Sequence, residues 1–141
     1  MKQPKIRFKN LAELEKCMEE WKEILMLHDW IIECRLVDEL YNEGEPCWGL
    51  NSNELVGRTS TISIRQYKEE LDGNSVEKYC GEYILIHELL HCVYPVFTKD
   101  SYEANYFGTM EHRKLDKLAQ SLLMAKYNLK FEWFKNKKTR N

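Results

Sequence analysis

The chain has 141 residues, 43% of them hydrophobic and 31% charged, with a formal net charge of −2 and a pI of about 6.1. That length suits a single domain over 1–141, large enough to bury a core without staples. The balanced charge excludes a globally basic nucleic-acid binder, and no apolar run is long enough to span a bilayer, so neither nucleic acid nor a membrane is expected as a partner.

At the N-terminus, MKQPKIRFKN leads into the charged LAELEKCMEEWKE rather than into an apolar segment, which predicts no secretory leader. The cysteines Cys17, Cys34, Cys47, Cys80 and Cys92 are odd in number and form no CxxC. They read as thiols of a reducing cytosol, and a cytoplasmic location is expected. Asn10 followed by Glu13 is a capping-box pattern. Leu11, Leu14, Cys17, Met18, Trp21, Ile24 and Leu25 then recur at helical spacing, which predicts a helix over about 11–27.

Trp30, Ile32, Cys34 and Leu36 alternate with Ile31, Glu33 and Arg35, the pattern of a half-buried strand. YNEGEPC at 41–47 reads as a loop, CWGL as a short strand and NSNELVG as a turn-rich link. TSTISIRQY at 59–67 is β-branched and alternating, and is expected to be a strand. After a turn at 72–74, Asn74 or Ser75 can cap a helix running to Tyr94, where Pro95 limits it. A polar aromatic link, FTKDSYEANYFGT, precedes a closing helix from about Met110 to Tyr127 with a stripe of Leu115, Leu118, Ala119, Leu122 and Leu123. The tail at 131–141 is aromatic, then basic. The order helix, strands, helix, helix predicts an α+β fold with a small sheet packed against helices.

The chemistry concentrates in ILIHELLHCVY, Ile84 to Tyr94. His87 and His91 are one helical turn apart and share a face, so their imidazoles aim at one point. Zinc takes neutral imidazole nitrogens, and in an HExxH arrangement the glutamate, here Glu88, stands beside the metal as a base. The bland alternative is that both histidines bond to carbonyls or carboxylates in the core. A catalytic zinc needs a third protein ligand. Around the closing helix, Glu111 lies roughly 30° from the centre of the apolar stripe, His112 roughly 70° and Asp116 roughly 110°. Glu111 is the best-aimed ligand, His112 is the alternative third ligand, and Glu103 and Asp116 are further options.

His87-Glu88-Leu89-Leu90-His91 resembles the zincin metallopeptidase signature, and Glu111, twenty residues after His91, resembles the gluzincin arrangement of thermolysin-like enzymes. The layout also resembles minimal zincin-like metallopeptidases encoded by phages and prophages. The matching pieces are His28-Asp29-Trp30-Ile31-Ile32, Thr61-Ile62-Ser63-Ile64, the HELLH helix, and Glu111 to Ala119, within about Leu11 to Leu123. The metzincin extension and the downstream His-Gly pair of SprT-like proteins are absent.

The resemblance implies a minimal zincin-like domain with Zn2+ on His87, His91 and Glu111 (or His112). It implies that Glu88 takes a proton from a zinc-polarised water attacking a peptide or protein substrate. It implies an edge strand that pairs with that substrate, with TSTISIRQY as the candidate, and an oxyanion donor among Tyr94, Tyr102, Tyr106 and His112. The rival reading is a non-catalytic zincin-fold binding module with a structural metal. The basic run at 135–140 reads as a solvated tail, with a nucleic-acid adaptor as the lesser alternative.

Overall fold

Helix α1 (Leu11–Ile24) starts where Asn10 accepts a hydrogen bond from the Glu13 N–H at 2.9 Å, while Glu13 reaches back to the Lys9 N–H at 3.1 Å. The expected cap therefore forms, except that Glu13 accepts from the N–H one residue before the N-cap rather than from the N-cap itself. Leu14, Cys17, Met18 and Trp21 form the buried face. The helix ends before Met26, whose φ is 57°, slightly short of the expected boundary. The computed structural model describes residues 3–66, 80–94 and 106–130, and in the last segment it describes side chains from His112 onward.

Strand β1 (Ile31–Val37) follows, with Cys34 buried and Ile31, Glu33 and Arg35 exposed, as the alternation predicts. The expected loop at 41–47 holds a small hairpin, β2 (Tyr41–Asn42) and β3 (Glu45–Pro46). Its turn residues Glu43 and Gly44 have φ of 53° and 85°, the left-handed pair a two-residue hairpin turn requires. Next come β4 (Gly49–Glu54) and β5 (Thr59–Arg65). Asn51 to Glu54, expected in a turn, lie in β4 because the antiparallel ladder to β5 overrides their weak strand preference.

The three-stranded sheet has the order β1-β5-β4. β5 is parallel to β1, from Ile31↔Thr59 to Val37↔Arg65, and antiparallel to β4, from Gly49↔Ile64 to Glu54↔Thr59. This corrects the edge-strand role expected of TSTISIRQY. β5 is central and shares its backbone bonds with both neighbours, so an added strand finds no free groups there. Among the described residues, the sheet's free edges belong to β1 and β4.

Helix α2 (Gly81–Val93) begins at Gly81, because Cys80 is extended at φ −66° and ψ 113°. That corrects the expected start at Asn74 or Ser75, residues that, like the expected turn at 72–74, lie outside the described residues. No side chain caps α2. Instead Gly81 N–H donates to the Ile6 carbonyl at 2.8 Å and Glu82 N–H to the Lys5 carbonyl at 2.9 Å. A Cβ at Gly81 would lie 2.8 Å from the Phe8 ring, so glycine lets this strap approach. Ile84, Leu85, Ile86, Leu89, Leu90 and Cys92 are all buried, so apolar neighbours surround the helix.

Helix α3 (Tyr106–Tyr127) starts four residues before the expected Met110. The link at 95–105 and the tail at 131–141 lie outside the described residues. Leu115, Ala119 and Leu123 are buried at 2%, 0% and 0% exposure, whereas Leu118 is 40% exposed. The buried stripe is thus rotated from the expected one. α1 packs on β1, α2 on β4 and β5, and α3 on α2. The architecture is α+β, and none of the described helices is long and apolar enough to cross a membrane.

The rotation of α3 is testable by chemical denaturation. Leu123→Ala should cost about 2–5 kcal/mol, as for a fully buried leucine. Leu118→Ala should cost clearly less, within about 1 kcal/mol. Equal losses would contradict the observed stripe.

Candidate metal centre

On α2, residues 87 and 91 lie one turn apart, and both imidazoles turn toward α3. There His112 meets them. One ring nitrogen from each of His87, His91 and His112 lies within 4.8 Å of the others. The ring centroids are 5.1 Å apart for His87 and His91, 4.7 Å for His87 and His112, and 5.8 Å for His91 and His112. The Nε2 atoms of His87 and His112 stand 3.2 Å apart. Two nitrogens bound tetrahedrally to one zinc are separated by about 3.3 Å, so this pair already has ligand spacing.

Asp116, one turn after His112, orients the cluster. His87 Nδ1–H donates to Asp116 Oδ1 at 2.9 Å. That bond sets the tautomer of His87 and turns its Nε2 lone pair toward the other two rings. His112 Nδ1 is 3.8 Å from the second Asp116 oxygen, too far for a hydrogen bond. Tyr83, near the start of α2, also reaches α3, its hydroxyl 3.5 Å from the Asp116 carbonyl oxygen.

Burial and charge divide the histidines. Burial pulls His91 down to about 3, helped by neighbouring His87 and His112. His112 is lowered mainly by burial and next by His87. Both are therefore neutral at physiological pH, the form that ligates metal. Burial also opposes protonation of His87, but its bond to Asp116 and the charges of Glu88 and Asp116 prevail and raise it. Asp116 responds in kind: burial raises it, yet His87 and the other rings hold it below the usual carboxylate range.

Glu88 is 8% exposed, and burial pushes its carboxyl up to about 7, against the opposing pull of His87. The β4 backbone passes close beside it. A Cβ at Gly49 would lie 2.5 Å from Ile84 Cγ2 and 3.0 Å from Glu88 Oε2, so glycine alone admits this approach. Asn51 ties β4 to the helix, its Nδ2 donating to the Glu88 carbonyl at 2.6 Å and to Cys92 Sγ at 3.3 Å, while Ser60 Oγ donates to Asn51 Oδ1 at 2.9 Å. Cys92 sits in this network as a buried thiol raised by burial, which suits packing rather than nucleophilic attack.

The structure thus brings together His87, His91 and His112, while Glu88 follows His87 on α2 and packs against Gly49. Glu111 belongs to α3, but its side chain lies outside the described residues, as do the side chain of Tyr106 and all of Glu103 and Tyr102. Tyr94 is 47% exposed at the end of α2. Sequence reasoning missed Gly49 and Asn51, because no local pattern distinguishes them; their roles depend on which strand lies against α2. No family model, curated protein or solved structure matches the chain.

Three imidazoles around one point, with a carboxylate alongside, can hold a divalent first-row metal; the ligand set alone does not choose which one. If Asp116 orients His87 for that task, Asp116→Ala should leave the protein folded and weaken zinc binding by about 10–100-fold. Competition against a chromophoric chelator measures this, and unchanged affinity would remove Asp116 from the site.

Proposed function

We propose that this chain is a zinc-dependent peptidase or amide hydrolase with the metal on His87, His91 and His112. One observation carries the reading: three histidine nitrogens lie within 4.8 Å of one another on two packed helices, with Glu88 on the same helix as two of them. Imidazole suits zinc, copper, iron and nickel alike, and zinc is chosen because three nitrogen ligands and an open position form its usual catalytic set. Zinc held there supplies Lewis acidity and a bound water of near-neutral pKa.

The remaining work falls to the protein. Glu88 is the general base: its buried carboxylate, next in the chain to a proposed ligand, can accept a proton from water and return it to the departing amine. Among the described residues β4 has an unpaired edge, and this supports a peptide as substrate. An extended chain can add to an exposed strand edge through main-chain hydrogen bonds, and β4 lies beside Glu88 at Gly49. β4 thus takes the role that the sequence suggested for TSTISIRQY.

Glu88→Gln separates hydrolysis from mere binding. The variant should bind zinc as tightly as the wild type and cleave a randomised peptide library about 10²–10⁴-fold more slowly. A zinc-loaded wild type that cleaves no member of the library would favour the alternative of a binding module with a structural metal. Equal cleavage by both proteins would exclude Glu88 as the base.

A further inference from the structure

We infer that Glu82 is a positioning residue: its buried carboxylate fixes the register of α3 on α2 and so delivers His112 to His87 and His91. The functional meaning of this assignment rests on the metal centre proposed above. Glu82 is 0% exposed, and the chemistry assigned to Glu88 makes no use of it. Both of its oxygens are engaged. Trp21 Nε1–H donates to Oε2 at 2.6 Å, the Tyr127 hydroxyl lies 2.7 Å from both oxygens, Lys126 Nζ is 3.1 Å from Oε2, and the Lys5 N–H donates to Oε1 at 2.9 Å. Lys126 also pairs with Glu20 of α1 at 3.2 Å. One carboxylate therefore joins the N-terminal strap, α1, α2 and α3.

Apolar packing alone does not fix where α3 sits along α2. The buried face of α3 repeats every four residues, at Leu115, Ala119 and Leu123. A slip by one repeat would still set apolar groups against α2, but it would carry His112 about 6 Å from its partners. Hydrogen bonds and ion pairs are directional and do not tolerate such a slip. Between α2 and α3 the strongest described polar contacts outside the histidine cluster are those of Glu82 with Lys126 and Tyr127. They lie near the C-terminal end of α3, far along the helix from His112, and so restrain its sliding at a distance from the metal centre.

The test uses the full chain and Glu82→Met combined with Lys126→Met, which removes both charges so that neither is left buried and alone. Two readouts follow the register. The first is the NOE between His87 and His112 ring protons in metal-free protein. The second is the affinity for zinc, with the visible spectrum of the Co2+-loaded protein as a check on ligand geometry. The double variant should remain folded, lose the NOE, bind zinc at least tenfold more weakly and change the cobalt spectrum. A folded double variant that keeps the NOE and the affinity overturns the assignment. If the double variant does not fold, Glu82→Gln decides: a weakened NOE and at least a threefold loss of zinc affinity support the role, and no change overturns it. A wild type that shows the NOE but takes up neither metal would sink the proposed metal centre, while loss of the NOE in the variants would still establish the register lock.

Discussion

Helix α2 is buried on almost every side, yet it carries Glu82, His87 and Glu88 into the interior. A buried charge without partners costs several kcal/mol, so the elements packed around α2 are constrained to supply them. α1 supplies Trp21; α3 supplies Lys126, Tyr127, Asp116 and His112; the N-terminal strap supplies the Lys5 N–H. β4 adds Asn51 and, at Gly49, a backbone without a side chain. The partners are drawn from both ends of the chain and its middle, so polar satisfaction of this helix is as long-range as the apolar core.

The two ends of the α2–α3 contact solve different problems. At Glu82 an anion meets a cation and three neutral donors from the protein itself, and the result is a closed structural network. At the other end, three imidazoles converge, two of them held neutral by burial. His87 and His112 present Nε2 atoms 3.2 Å apart, and lone pairs that face each other need either a shared proton or a cation between them. A ligated metal would engage one nitrogen of each of the three rings at once. That convergence, with Glu88 following His87 on α2 and, among the described residues, an unpaired edge of β4 next to Glu88, leads from packing to the proposed chemistry.

The α+β class, the start of α1 and the places of β1 and β5 were legible, because each rests on local periodicity and, for α1, on a cap at Asn10. That His87 and His91 lie together was legible because spacing within one helix determines which side chains share a face. The choice of third ligand depended on the face of α3. Taking Leu118 and Leu122 as buried placed Glu111 roughly 30° and His112 roughly 70° from the stripe centre. With Leu115, Ala119 and Leu123 as the true stripe, the centre turns by about 50°, and His112 comes to roughly 20° while the Glu111 position moves to roughly 80°. One half-exposed leucine thus decided the ranking. Strand order was not legible either: nothing local in TSTISIRQY says that β4 will return to pair with it and leave it central. Glu82 gave no signal, because its partners are set by how three helices meet.

The central claim is that the third ligand is His112. Elemental analysis of zinc per chain, after loading and removal of excess metal, tests it directly in the wild type, His112→Ala and Glu111→Ala. The account predicts about one zinc per chain in the wild type and in Glu111→Ala, and a clear loss in His112→Ala. Zinc retained in His112→Ala but lost in Glu111→Ala, or no zinc in any of the three, would contradict it.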